Sequence, residues 1–155
     1  MAYMERRRGS FEEVLRIMLS NKLPAAWRAA WIAESCMEDD DARVKKHAAK
    51  IIGLLPHCAD GHQRELLKVL QKVSVPKNKE GLLFNQCMSI WEKTSKQSSV
   101  RIIALRIMLK IADRHPDLKK EIASYIQPQY TDSLSPAIRK TAYRVAKEPG
   151  STNYE

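Results

Sequence analysis

Glycine and proline are scarce in this sequence of 155 residues, with five and seven residues respectively. Turn-rich β-sandwiches need many such residues, so this scarcity argues against an all-β fold. The sequence has no run of about 18 apolar residues, which predicts that no segment spans a membrane. The three cysteines are scattered and odd in number (Cys36, Cys58 and Cys87). They favour reduced thiols in the cytoplasm over a disulfide framework.

The familiar catalytic and nucleotide-binding motifs are also missing. The sequence contains no HExxH, GxSxG, GxGxxG or P-loop pattern, so we predict no enzyme, no cofactor and no small-molecule substrate. His57, Cys58 and His62 could supply three metal ligands, but a fourth ligand and the usual spacing of a zinc site are missing. We therefore expect no metal. The acidic run 39–41 precedes a helical pattern, where carboxylates cap amide groups.

The charge is strongly positive, with 27 basic and 18 acidic residues and a net charge of +9. This balance weakly favours an acidic partner and carries no information about the fold.

Helical periodicity covers almost the whole sequence. Eight stretches between Ser10 and Glu148 have apolar residues at i, i+3, i+4 and i+7, and no stretch alternates as a strand does. The connections are only a few residues long, so neighbouring helices are expected to run antiparallel. The sequence therefore predicts an all-α protein.

An internal repeat is visible in every second helix. An arginine stands near the start of each of these helices, at intervals of 36, 37 and 38 positions (Arg28, Arg64, Arg101 and Arg139). Small or apolar residues follow each of them. A two-helix unit repeated four times at about 37 residues is typical of an α-solenoid.

Two of these repeats resemble a known family. The segments Val100-Arg101-x-x-Ala104 and Ile138-Arg139-x-x-Ala142 are similar to the second helix of HEAT repeats. The resemblance implies a right-handed α-α superhelix of about four helical hairpins over residues 10–148. Residues 1–9 would then form a flexible N-terminal segment, and residues 149–155 a C-terminal tail.

The Trp27-to-Trp31 segment, with this length and repeat count, resembles a group of short bacterial HEAT-like proteins. Some members carry an adenylosuccinate lyase name. That enzyme family has a flexible Ser/Gly-rich loop with a catalytic serine, which this sequence lacks, so we expect no lyase activity. The sequence also departs from the HEAT pattern, because HEAT units usually place an aspartate six residues before the arginine. Here those positions hold Lys22, Cys58, Ser95 and Ser133.

The four repeat arginines allow two interpretations. They could form a ladder for phosphates or carboxylates, or they could lie half-buried at the joints between repeats and bond to helix ends. Their mostly apolar stripe favours the structural role. Trp27 and Trp31 share one helical face. With Arg28 between them they could stack on a base or hold a cation, but packing at the first joint is the favoured interpretation.

Basic residues concentrate in the later second helices. Six of them are candidates for binding a partner or phosphates: Arg106, Lys110, Arg114, Lys140, Arg144 and Lys147. Together they could make a concave surface positive, which suits phosphates or an acidic protein segment. An ordinary solvated face is the equal alternative.

The sequence thus predicts a non-enzymatic HEAT-like scaffold that presents a basic concave surface to a protein partner, with no membrane contact. The alternative partner is nucleic acid, in a protein related to the HEAT-like DNA alkylation repair glycosylases. Those enzymes use aromatic residues and an acid in a basic cleft, and Asp113 is the one acidic candidate here.

Overall fold

In the computed structural model, the backbone is described from Arg8 to Lys147 and the side chains from Ser10 to Arg144. Within this range the chain forms ten α-helices and one 3₁₀ turn, and no strand. The helices are α1 Arg8–Met18, α2 Ala25–Cys36, α3 Ala42–Lys45, α4 Ala48–Leu54, α5 Asp60–Gln71, α6 Lys77–Glu92, α7 Ser98–Ala112, α8 Pro116–Ala123, α9 Pro128–Thr131 and α10 Pro136–Lys147. The predicted all-α class is confirmed.

The structure adds two short helices to the eight stretches read from the sequence. The third stretch is divided into α3, α4 and a 3₁₀ turn at Leu55–His57. Pro56 lies in that turn, where its missing N–H is tolerated. Pro128 begins the extra helix α9 instead of only ending the stretch before it, because proline fits the first helical position. Of the predicted terminal segments, only residues 8 and 9 lie in the described range, and both are helical.

The chain divides into two compact units, the first ending at Glu80 and the second beginning at Gly81. In the first unit, α2 packs against both α1 and α5. The side of α2 that is turned inward carries only small residues, with Ala26, Ala30 and Ala33 fully buried. Phe11, Leu15 and Met18 of α1 fill the space beside them. Small side chains let helix axes approach closely, so α2 lies tightly between its neighbours.

An aspartate pair secures the loop between α2 and α3. The carboxylate of Asp41 accepts hydrogen bonds from the backbone N–H groups of Arg43 and Glu38. It also accepts two from the Arg43 guanidinium, which lies 4.0 Å from the centre of the Phe11 ring. The carboxylate of Asp40 accepts a bond from the backbone N–H of Ser74, at 2.8 Å. The acidic run thus caps α3 and ties this loop to the end of α5.

The second unit is built around α7. Eleven of the fifteen residues of this helix are buried, and α8 and α10 pack against it. Trp91 of α6 is also fully buried, and its indole N–H donates to the carbonyl oxygen of Tyr125 at 2.8 Å. The helix α7 is therefore the core of this unit.

Among the described residues, no helix has both the length and the apolar character needed to cross a bilayer.

Candidate functional site

Two tryptophans stand exposed on α2. Trp27 is 40% exposed and Trp31 is 54% exposed, and Leu23, just before the helix, is 53% exposed. Positions four apart lie about 40° apart around an α-helix, so both indoles project from one side. Arg28 is exposed on the same outward side. We call Trp27, Arg28 and Trp31 the tryptophan face.

The prediction that the tryptophan pair packs inside a joint between repeats is wrong for Trp31, which is 54% exposed. Trp27 makes a partial contact of that kind, because a Cβ added at Gly61 would lie 3.4 Å from its Nε1. The indole therefore rests on the first turn of α5. The inward side of α2 is already filled by alanines, so the larger rings remain outside.

The helices α2 and α5 run side by side in the same direction. Their starts meet where Trp27 contacts Gly61. Their ends meet where the Nζ of Lys72 lies 3.0 Å from a carboxylate oxygen of Glu34 and donates to its backbone oxygen at 2.9 Å. Position 31 lies between these two contacts along α2, level with the middle of α5.

The two basic side chains of α5 share one buried carboxylate partner. Arg64 Nε donates to Glu65 Oε1 at 3.3 Å, and Lys68 Nζ lies 3.6 Å from the same oxygen. Glu65 itself is buried, with 2% exposure. With Lys72 paired to Glu34, the three cations beside the tryptophan face each have a carboxylate partner. Arg28, in contrast, makes no ion pair within the part of the chain that is described.

The four repeat arginines do not share one environment. Arg28 is exposed and Arg64 is half-buried, whereas Arg101 is fully buried and Arg139 half-buried. The expectation that all four lie half-buried at joints is therefore not met at Arg28, which occupies the outward side of α2. Arg139 donates to three carbonyl oxygens, those of Thr131, Asp132 and Leu134.

Arg101 is the most enclosed of these arginines. Its Nε donates to the carbonyl oxygen of Trp91 at 2.9 Å, and Nη2 donates to that of Tyr130. Nη1 donates to the hydroxyl of Ser133 at 3.1 Å. The guanidinium also lies 4.6 Å from the centre of the Trp91 ring. Ser133 stands six residues before Arg139, where HEAT units usually place an aspartate. In this protein a neutral hydroxyl at that position accepts a hydrogen bond from Arg101, the arginine of the preceding repeat.

The predicted basic candidates of the second unit are unevenly placed. Arg106 and Lys110 lie half-buried on α7, the core helix of that unit. Arg114, Lys140 and Arg144 are exposed, and the side chain of Lys147 lies outside the described residues. A helix with most of its residues buried offers little area for docking, so Arg106 and Lys110 are poorly placed to receive a partner.

The three candidate metal ligands each have a different environment. Cys58 Sγ donates to the carbonyl oxygen of Leu54, and burial raises the pKa of its thiol to about 11. His62 is buried, its Nε2 lies 3.0 Å from the carbonyl oxygen of Met18, and desolvation lowers its pKa. His57 is exposed. Across the described residues, no group of three or more His, Cys, Asp or Glu residues is arranged to hold a metal ion.

The fold defines a class: an all-α protein of paired helices with an arginine recurring at the start of each second helix. The model of the HEAT repeat domain matches residues 1–149, and the chain therefore belongs to the HEAT repeat family. Comparisons with curated proteins and with solved structures give no significant match.

The sequence reasoning missed the tryptophan face as an exposed surface. The alanines inward of both tryptophans (Ala26, Ala30 and Ala33) were a partial signal that did not settle their exposure. A helix whose small residues form one stripe can pack closely along that stripe only, which leaves its large residues outside.

Proposed function

We propose that this HEAT repeat protein is a non-enzymatic scaffold that binds a protein partner. The observation that carries the proposal is the exposure of Trp27 and Trp31 on one side of α2. Tryptophan and arginine are enriched among the residues that contribute most to protein–protein binding energy. An exposed arginine between two exposed indoles, with no ion pair among the described residues, matches that composition.

The three cysteines of the described structure are free and buried thiols. Such thiols suit a reducing compartment, so the proposal includes a cytoplasmic location.

Nucleic acid is the alternative partner, supported by the net charge of +9 and by the exposed Arg114, Lys140 and Arg144. Protein is favoured because Arg64, Lys68 and Lys72 are paired with carboxylates beside the tryptophans. A strand stacked on the indoles would bring one phosphate per base, and these three cations would meet the phosphates only by giving up their ion pairs.

The test is affinity capture from a lysate of the source cells with the full chain immobilised, in parallel with and without nuclease, followed by mass spectrometry. We expect a protein that survives nuclease treatment, and that forms a complex of fixed stoichiometry with the purified chain in analytical ultracentrifugation. A captured protein that is lost after nuclease treatment would support nucleic acid as the partner. Recovery of no protein above bead-only controls would contradict the proposed function.

A further inference from the structure

The chemistry of the tryptophan face also restricts what it can bind. We infer that the face receives an apolar segment of a partner protein that carries an Asp or Glu carboxylate opposite Arg28. This inference rests on the proposed function and adds the chemical nature of the partner.

The apolar part of the argument comes from area and geometry. Trp27 is held on one edge by the first turn of α5, and Trp31 stands one helical turn further along. The two exposed indoles offer apolar surface along about 6 Å of helix axis, and Leu23, just before the helix, is exposed as well. Burying an exposed indole removes a large apolar surface from water, so an apolar occupant is favoured at the centre.

The acidic part comes from the charges around the strip. Four cations lie on α2, on α5 or directly after it, against three carboxylates: Arg28, Arg64, Lys68 and Lys72 against Glu34, Asp60 and Glu65. Glu65 is buried beneath Arg64 and Lys68, and Glu34 is held by Lys72. On α2, Arg28 is the exposed charged residue that stands between the two tryptophans.

An exposed guanidinium next to two indoles is well suited to a carboxylate. Its planar fork can donate two parallel hydrogen bonds to one carboxylate. When the apolar segment excludes water from the indoles, this ion pair also loses much of its screening. A basic segment would instead bring like charges to Arg28, which costs free energy and selects against such partners.

The experiment is selection of random dodecamer peptides displayed on phage against the purified full chain, followed by fluorescence anisotropy of the selected peptides. We expect sequences rich in apolar residues with at least one Asp or Glu. The double variant Trp27→Ser/Trp31→Ser should weaken their binding at least tenfold. Leu82→Ser is the matched control, because Leu82 is 44% exposed on α6, and it should change binding less than twofold.

Charge reversal tests the carboxylate. Arg28→Glu should weaken the binding of the acidic peptides at least tenfold. Phage selection against this variant should favour peptides with Lys or Arg. Lys50→Glu makes the same change in net charge at an exposed position of α4 and should leave binding within twofold. Thermal unfolding followed by circular dichroism checks that each variant is folded. If the double variant does not fold, the single variant Trp31→Ser replaces it.

Several results would overturn the inference. These are the absence of enriched peptides, enrichment of peptides without acidic residues, and binding that is unaffected by the tryptophan variants. Trp31-dependent binding of a labelled oligothymidylate that competes with the peptides would assign the face to nucleic acid. Self-association lost in the tryptophan variants would assign it to a second copy. The scaffold function and this docking site can be tested separately. A nuclease-resistant partner that still binds the Trp27→Ser/Trp31→Ser variant would support the scaffold function and refute the docking site.

Discussion

Single residues of the same type and repeat position have different roles in this protein. Arg28 and Arg101 both stand near the start of a second helix, yet Arg28 is exposed and Arg101 is fully buried. The difference lies in what surrounds the guanidinium. Arg101 is enclosed by the carbonyl oxygens of Trp91 and Tyr130 and the hydroxyl of Ser133, which compensate for the loss of water.

Arg101→Ala should therefore lower the free energy of unfolding by about 1–3 kcal/mol, because it leaves buried carbonyl oxygens without donors. Arg144→Ala removes the same side chain from an exposed position and should stay within about 0.5 kcal/mol of the unsubstituted protein. Urea unfolding followed by circular dichroism measures both. Equal midpoints for the two variants would show that the buried arginine adds no stability.

Asp41 makes stability dependent on pH. Hydrogen bonds from the Arg43 side chain lower the pKa of this carboxyl from 3.8 to about 2, opposed in part by desolvation. A pKa lowered by folding contributes stability above its ordinary value, and the contribution disappears as the pH falls from about 4 to about 2. At pH 7, Asp41→Asn should cost about 1–2 kcal/mol, because asparagine can still cap the helix but cannot make the charged hydrogen bonds to Arg43.

The measurement is urea unfolding of Asp41→Asn and the unsubstituted protein at pH 7 and at pH 2, with the exposed Asp39→Asn as the control. Most of the cost of Asp41→Asn should be lost at pH 2, and Asp39→Asn should cost little at either pH. A cost that persists unchanged at pH 2 would mean that the ionised carboxylate is not its source.

At the scale of the element, the two sides of α2 carry different kinds of residue. The inner side holds alanines that allow close contact with α1 and α5, and the outer side holds the tryptophan face. Packing and the proposed partner binding therefore involve different residues of one helix. Changes on the inner side should affect stability, and changes on the outer side should affect binding.

Ala33→Leu should destabilise the protein by about 1–3 kcal/mol, because Ala33 is fully buried in the close contact of α2 and has no space for a larger side chain. Ala49→Leu places the same change at an exposed position of α4 and should cost less than about 0.5 kcal/mol. Thermal unfolding of both variants makes the comparison. Tolerance of leucine at position 33 would contradict the close packing.

At the scale of the whole molecule, the net charge of +9 is spread over both units. Much of it near the tryptophan face is compensated by Glu34 and Glu65. On the α7 side, Arg106 and Lys110 are half-buried. A high net charge distributed in this way attracts polyanions without a specific site.

We therefore expect labelled DNA oligonucleotides to bind in the non-specific range, with Kd of about 10⁻⁴–10⁻⁶ M at physiological salt, and to bind more weakly as salt increases. Fluorescence anisotropy at two salt concentrations measures this. The double variant Lys140→Glu/Arg144→Glu, at two exposed positions of α10, should weaken this binding by reducing the overall charge. Submicromolar binding lost in that variant would favour the nucleic-acid alternative over the protein scaffold.

Much of the fold was predictable because its signals are local. Helical periodicity and proline positions located the helices, and the recurring arginine identified the repeat. The same signals could not show that the stretch ending at Leu55 is broken into α3 and α4, since a helical pattern persists across the break.

The candidate site was less predictable than the fold. Two tryptophans at i and i+4 give the same pattern whether they lie in a core or on a surface, and so does an arginine on an apolar stripe. The sequence by itself determined that the chain is helical, repeated and basic, because propensity, spacing and charge belong to the residues. Only the tertiary structure decided that Arg101 is buried and that Trp27 and Trp31 are exposed. Burial depends on which side of each helix its neighbours cover, and those neighbours, such as Ser133 for Arg101, lie distant in the chain.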